Sequence, residues 1–272
     1  MKKASIIGAI AGDVVGSIYE FNPTKDYGFR LLDERMEITD DSIMTIAVAD
    51  WLLHCGSEGL WRPAALEKRM RHWGQKYRWP MGGYGGTFCA WLDRPEMGAY
   101  NSWGNGSAMR VSAVGFFFDA LPEVLQAAKV TAEITHNHPE GVKGAQATAA
   151  AIFMARTGAT KEDIRTSISQ KFGYDLHSTC DDLRPTYQFE PSCQKTVPQA
   201  IIAFLDSKDY EDAIRLTVSL GGDADTMGAI TGAIAAAYYK EMPDEIYDFA
   251  ISRIPDDLKQ IVLEFEQKYN PR

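Results

Sequence analysis

Two short acidic clusters, far apart in the chain, have the residue types and spacing to do chemistry. The first is Thr39-Asp40-Asp41-Ser42, which opens the run Ile43-Met44-Thr45-Ile46-Ala47-Val48-Ala49. The second is Gly221-Gly222-Asp223-Ala224-Asp225-Thr226, which opens Met227-Gly228-Ala229-Ile230. Each places hard oxygen donors just before an apolar stretch that reads as a buried helix. One carboxylate at a helix start is ordinary, because the helix dipole favours it, and either cluster alone reads equally as an N-cap with acids behind it. Two carboxylates in both places, with almost no basic residue nearby, ask for more. Desolvated like charges repel and need a partner. Two divalent cations would neutralise Asp40, Asp41, Asp223 and Asp225. The clusters contain no Cys or His, and an all-oxygen donor set selects magnesium, manganese or calcium over zinc. Thr39, Asp40 and Asp41 would spread over roughly 200° of a regular helix, so they can face one ion only from a loop or an N-cap.

Other polar residues stand out less. Asp13 interrupts an apolar helical stretch and reads as a buried cap or hydrogen-bond hub. His136 and His138 flank Asn137 before Pro139, where a histidine at a helix end is usually structural. Arg110 has two readings, a diphosphate contact or a core salt bridge to Asp13 or Glu20. Gly104-Asn105-Gly106-Ser107 precedes an apolar run and reads as an anion-binding nest or as a plain glycine turn with a serine cap. In residues 78–106, glycines alternate with aromatics, including Trp79, Tyr84, Phe88, Trp91, Tyr100 and Trp103. Glycine lets a backbone approach a ligand and aromatics supply flat faces.

The elements that must position these groups are helical. Long Ala-, Ile-, Leu- and Met-rich runs favour helix over strand. They predict helices at 4–19, 42–54, 63–77, 107–118, 122–135, 140–156, 161–170, 197–205, 209–219, 226–240 and 243–269. No alternating apolar–polar stretch argues for a sheet. Gly8, Gly12 and Gly16 recur at every fourth residue, as do Gly228, Gly232 and Ala236. Such stripes let helix backbones approach closely, so the first helix and the helix after the second cluster are expected to pack centrally on each other. Residues 171–196 are polar and irregular and read as a surface excursion. No linker divides the chain, which is expected to form one all-α domain over residues 1–272.

The chain has 272 residues, 45% hydrophobic and 24% charged, which supports a sizeable core and argues against disorder. Its net charge is −9 and it has no basic run, which argues against nucleic acid as the main partner. Cys55, Cys89, Cys180 and Cys193 lack CxxC spacing and point to free thiols in a reducing cytoplasm. The apolar N-terminal stretch is broken by Asp13 and reads as part of the fold rather than a signal peptide. No apolar run reaches membrane-spanning length.

Six ordered motifs then carry a resemblance. They are Gly8-Ala9-Ile10-Ala11-Gly12-Asp13-Val14-Val15-Gly16-Ser17-Ile18-Tyr19-Glu20, Thr39-Asp40-Asp41-Ser42, Tyr84-Gly85, Gly104-Asn105-Gly106-Ser107-Ala108-Met109-Arg110, Thr135-His136 and Gly221-Gly222-Asp223-Ala224-Asp225-Thr226. In order and over nearly the whole chain, they resemble those of the ADP-ribosylglycohydrolase family. The resemblance implies a single all-helical domain around a central binuclear magnesium or manganese centre, and hydrolytic removal of ADP-ribose from a protein side chain or small molecule. It implies Thr39, Asp40, Asp41, Asp223, Asp225 and Thr226 as metal ligands. Glu20 would sit at the catalytic centre beside Asp41 and Asp225. Tyr84, Gly85, Gly104, Asn105, Gly106, Ser107 and His136 would line the substrate site. Ser42 and Ala224 stand where many relatives carry threonine, and neither change removes an expected ligand. Two rival readings are a catalytically silent ADP-ribose binder and a phosphate-ester hydrolase built on the Asp-x-Asp pair. Intact acidic residues argue against the first, and the lack of a strand before Asp223 argues against the second.

Overall fold

Two helices that are apolar on every side have to lie at the centre of a fold, and the computed structural model, which describes residues 1–55 and 62–270, puts them there. Fifteen helices run along the described residues: α1 (Ile6–Gly16), α2 (Asp40–His54), α3 (Pro63–Lys76), α4 (Gly86–Asp93), α5 (Gly106–Met109), α6 (Ser112–Phe117), α7 (Leu121–Glu133), α8 (Pro139–Arg156), α9 (Lys161–Phe172), α10 (Cys180–Leu183), α11 (Cys193–Asp206), α12 (Tyr210–Val218), α13 (Ala224–Tyr239), α14 (Asp244–Arg253) and α15 (Asp256–Tyr269). Among the described residues the only extended pairings are three isolated bridges, Lys2 with Met242, Thr39 with Met81 and Gly104 with Ser192. The fold is all-α, as the apolar runs predict.

Every residue of α1 is buried, and so is α13 from Ala224 to Ala237. The two run antiparallel with their backbones in contact. A Cβ on Gly12 would fall 1.9 Å from the carbonyl oxygen of Gly228, one on Gly16 would fall 2.2 Å from that of Ala224, and one on Gly232 would fall 2.2 Å from that of Gly8. The small-residue stripes therefore do what their spacing predicts. Two more contacts fix the pair. Tyr210 on α12 donates its hydroxyl to Gly8 O at 2.7 Å. Buried Glu266 on α15 caps the start of α1, accepting from Ser5 N at 2.8 Å, Ile7 N at 3.0 Å and Ser5 Oγ at 2.8 Å.

Several boundaries depart from the predicted ones. The helix expected over 107–118 breaks into α5 and α6, because Arg110 turns inward to Thr131 O and Thr135 Oγ1. The helix expected over 243–269 divides at Ile254-Pro255. Ile254 is extended, and proline disfavours helical geometry in the residue before it. α11 opens at Cys193, earlier than expected, and carries Pro198 inside it. α4 lies in the glycine-aromatic segment and α10 in the stretch read as a surface excursion, and the apolar runs predict neither helix. The 171–196 segment is no loose excursion, since Phe172, Tyr174, Leu176, Cys180 and Cys193 are buried in the core.

Because no side chain separates α1 from α13, Gly12→Ala must push the helices apart. Overpacking of this kind costs about 1–3 kcal/mol, so the urea-unfolding midpoint should fall clearly below that of the wild type. An unchanged midpoint would show that the two helices can separate freely.

Candidate metal and ligand site

Asp13 lies on α1 one residue past the tightest glycine contact, and it fastens the N-terminus of α2. Its Oδ1 accepts from Thr39 Oγ1 at 2.7 Å, and its Oδ2 accepts from Thr39 N and Ser42 N at 3.1 Å each. Ser42 Oγ also donates to Oδ2. Asp13 is thus the buried hub that its place in an apolar helix suggests. Thr39 is the N-cap of α2, its hydroxyl oxygen accepting from Asp41 N at 3.2 Å. This cap turns Asp40 and Asp41 toward the start of α13, where Thr226 Oγ1 donates to Asp41 Oδ2 at 3.3 Å. The second cluster leaves α12 through Gly221, whose φ of +67° suits glycine. Asp223 Oδ2 then accepts from Asn105 Nδ2 at 2.7 Å.

The two clusters meet. Carboxylate oxygens of Asp13, Asp41 and Asp225 lie within 4.8 Å of one another, and so do those of Glu20, Asp223 and Asp225. Asp225 belongs to both groups. Glu20 arrives on the irregular segment between α1 and α2. Its Oε2 rests against Gly82, where a Cβ would fall only 2.5 Å away and where φ is +76°. That position therefore demands glycine.

The electrostatics are severe. Burial first, then repulsion from Asp225 and Asp13, raises the Glu20 carboxyl to about 8. Burial, then neighbouring acids, pushes Asp40, Asp41 and Asp225 well above the usual carboxylate range. Burial raises Asp13 and Asp223 to about 6 against the pull of their hydrogen bonds. Glu20 Oε2, Asp41 Oδ1 and Asp225 Oδ1 are buried with no hydrogen-bond partner. Three unpartnered carboxyl oxygens in an all-oxygen cluster are the donors a hard divalent cation needs once it displaces their protons, so the residues fit such a cation.

The acids close one end of a cavity of about 480 Å³, within the range of small-molecule sites. Of the residues singled out from the sequence, Glu20, Asp40, Asp41, Asp223, Asp225, Thr226, Gly85, Gly104, Asn105, Gly106 and His136 line it. Asp40 stands outside both three-carboxylate groups. Three of the residues that the resemblance implies as ligands or substrate contacts do not line the cavity. Thr39 is buried beneath Asp13. Tyr84 turns away and donates its hydroxyl to Tyr77 O at 3.1 Å. Ser107 donates its hydroxyl to Gly141 O at 2.7 Å. The glycine turn is also less open than a full nest, since Asn105 N donates to Pro191 O at 2.8 Å and Gly104 N to Ser102 Oγ at 3.1 Å. The N–H groups of Gly106 and Ser107 remain, and a helix cannot satisfy its own first turn.

Arg110 pairs with neither Asp13 nor Glu20. It lines the cavity fully buried, and burial lowers its guanidinium to about 10. Sequence reasoning missed Phe189 and Pro191, which reach the cavity from a polar stretch. Phe189 stacks on Phe21, next to Glu20, with ring centroids 6.3 Å apart. Nothing in the sequence pairs these two residues.

The ADP-ribosylglycohydrolase family model matches residues 3–269, and the chain belongs to that family. It is an enzyme of the ADP-ribosyl glycohydrolase class. It is 26% identical to the human ADP-ribosylhydrolase ARH3, over 87% of this chain and 85% of that one. The mouse protein of the same name is 24% identical over 97% of this chain and 88% of its own length. ADP-ribosylarginine hydrolase Tri1 of Pseudomonas putida is 26% identical, covering 89% of this chain and 72% of that one. Among solved structures, an ADP-ribosylglycohydrolase-related protein complex superposes with a TM-score of 0.72 at 24% identity, over 96% of this chain and 95% of that one, and so shares the fold.

A cation bound only to the folded state stabilises it by about 2.7 kcal/mol at a concentration a hundredfold above its dissociation constant. Added Mg²⁺ or Mn²⁺ should therefore raise the melting temperature of the wild type, and Asp225→Asn should abolish that rise. In EDTA the same variant should be at least as stable as the wild type, because one repelling carboxylate is gone. A wild-type melting curve indifferent to both cations would refute the cation site.

Proposed function

We propose that this enzyme removes ADP-ribose from a modified protein side chain or small molecule by cleaving the bond at the anomeric carbon of the distal ribose, with two divalent cations, Mg²⁺ or Mn²⁺, as cofactors. One observation carries the reading. The unpartnered oxygens of Glu20, Asp41 and Asp225 converge on the cavity, whose remaining lining offers backbone and imidazole donors, the Arg110 guanidinium and aromatic faces. Asp41, Asp223, Asp225, Asp40, Thr226 and Thr39 are the residues that would hold the cations, Thr39 from beneath the lining. Bound there, the cations would grip ribose hydroxyls and lower the pKa of water.

The chain's own groups do the rest. Glu20, drawn down to its carboxylate form beside bound cations, takes the proton of the attacking water as the oxocarbenium-like transition state forms and the bond to the modified group breaks, and passes that proton to the departing group. The Gly106 and Ser107 N–H groups face the diphosphate. Asn105 ties that turn to Asp223 and so sets the distance between the phosphate end and the ribose end of the site. Tyr100 and Trp103 offer ring faces for the adenine. The similarity to ADP-ribosylhydrolases, an ADP-ribosylarginine hydrolase among them, supports ADP-ribosylated substrates as partners. Four unpaired cysteines support a cytoplasmic location, and no helix among the described residues is long and apolar enough to cross a membrane.

The test is a panel of defined ADP-ribosyl linkages, with and without EDTA. Turnover of at least one linkage, lost in EDTA, is expected. Binding of ADP-ribose without any turnover would identify a silent relative instead. Glu20→Gln should lose roughly 100-fold or more in turnover, the usual scale for an acid–base group, with ADP-ribose still bound. Asn105→Ala should raise KM, because it frees both the turn and Asp223.

A further inference from the structure

The Thr135-His136 pair contains more than a ligand contact. The His136 ring lines the cavity, and its Nε2 lies against the glycine turn, where a Cβ on Gly106 would fall 3.0 Å from it and one on Gly104 3.5 Å. Its other ring nitrogen, Nδ1, is 2.8 Å from Thr135 Oγ1. That same hydroxyl oxygen accepts from Arg110 Nη2 at 2.8 Å, while Nη2 also donates to Thr131 O at 2.7 Å. Arg110 is 1% exposed, and none of its hydrogen bonds among the described residues goes to a carboxylate.

We infer that Arg110 and Thr135 are positioning residues that lock His136 in its Nε2–H tautomer, so that it presents a neutral N–H donor to the anionic diphosphate bound at the glycine turn. The identity of that anion rests on the ADP-ribose reading above, but the lock does not. A guanidinium can only donate, so a lone pair of the Thr135 oxygen is committed to Arg110. The oxygen has a second lone pair, and the Tyr100 hydroxyl, which also hydrogen-bonds Thr135, donates into it. With both lone pairs filled, the single Thr135 proton is left for the acceptor it faces, His136 Nδ1. Nδ1 is then bare, and the ring proton must sit on Nε2, which faces the turn. Tyr100, with its ring 5.8 Å from that of His136, also borders Thr135. Its hydroxyl carries its own proton and, as the donor to Thr135, closes the lone pair that an Nδ1–H would otherwise use.

The charge state follows from the same contacts. An imidazolium would put an N–H against a hydroxyl that already accepts from Arg110, with a second buried cation alongside. Burial first, and the Arg110 charge second, hold the imidazole well below its usual pKa. The arrangement suits a cavity that must receive an anion at one end while its other end is crowded with carboxylates. A neutral donor at the turn gives direction without adding a titratable charge.

Long-range ¹H–¹⁵N spectra of the full chain with Mg²⁺ should show His136 with Nδ1 unprotonated and Nε2 protonated, unchanged from pH 8 to pH 5, both free and with ADP-ribose. Thr135→Val removes the proton that blocks Nδ1, so a mixture of tautomers should appear. KM for ADP-ribosyl substrates should rise roughly tenfold, the scale of one hydrogen bond to a charged group, with kcat changed less than about twofold. Thr135→Ser keeps the hydroxyl and should restore both the spectrum and KM. A wild-type His136 carrying its proton on Nδ1, or an imidazolium at pH 7, overturns the inference. So does a Thr135→Val protein with the wild-type tautomer. The wild-type spectrum decides alone if that variant does not fold. The Nε2–H tautomer together with no ADP-ribose binding would support the lock and count against the ligand assigned to the cavity.

Discussion

The backbones of α1 and α13 touch, and the acidic centre depends on that contact. Van der Waals contact between two helix backbones is possible only where neither helix carries a Cβ in the way, and Gly8, Gly12, Gly228 and Gly232 clear that path. Asp13 follows Gly12 on one helix, and Asp225 precedes Gly228 on the other by three residues. Once the glycines meet, the two carboxylates are brought within 4.8 Å whatever their mutual repulsion. Apolar burial along two all-round hydrophobic helices supplies the driving force that a cluster of like charges lacks. A core contact worth several buried side chains can hold acids together that would separate on a flexible loop. The same rigidity keeps the site formed before any ligand arrives, which a binding site of fixed geometry requires.

The α2 cap is the next layer of the same construction. Thr39 and Ser42 bind Asp13 through both backbone and side chain, so the start of α2 is fixed relative to α1. Asn105 reaches Asp223 from a different part of the chain, and the Gly104–Ser192 bridge ties that turn to the start of α11. The cavity is therefore walled by segments distant in sequence, each held by hydrogen bonds to the next. Glu20 is the exception. It lies on the irregular segment after α1, held in place by the lack of a side chain at Gly82.

Much of this was legible in the sequence because it is written in local residue properties. Small residues at every fourth position imply close helix packing wherever they occur, and acids before an apolar run imply an N-terminal cluster. The resemblance then joined the two clusters across the chain, which local patterns could not do. What escaped depends on partners far away. Glu266 caps α1 from the opposite end of the chain. The break between α5 and α6 follows from Arg110 finding acceptors on α7 and just beyond it. Tyr84 looks like a ligand face in a glycine-aromatic stretch, yet its hydroxyl finds a backbone carbonyl instead. Phe189 sits in a polar segment whose composition hides its place at the cavity wall.

Burial alone does not tell a structural carboxylate from a functional one in this protein. Asp13 and Glu266 are both fully buried, and both are raised to about 6 by desolvation. Each is nonetheless saturated. Asp13 receives four hydrogen bonds from Thr39 and Ser42, and Glu266 receives its set from Ser5 and Ile7. A carboxylate has about four lone-pair sites, so Asp13 has little left to offer a cation, although it lies within reach of Asp41 and Asp225. Its work is to hold α2. Glu140 and Asp257 also leave a buried oxygen without a hydrogen bond, but each faces an ammonium, Lys143 and Lys76 respectively. Glu20, Asp41 and Asp225 have neither saturation nor a lysine or arginine opposite. Their open oxygens are the ones that line the cavity, so hydrogen bonds and ion pairs account for the first four acids, while these three must either hold a proton or face a positive charge brought from outside.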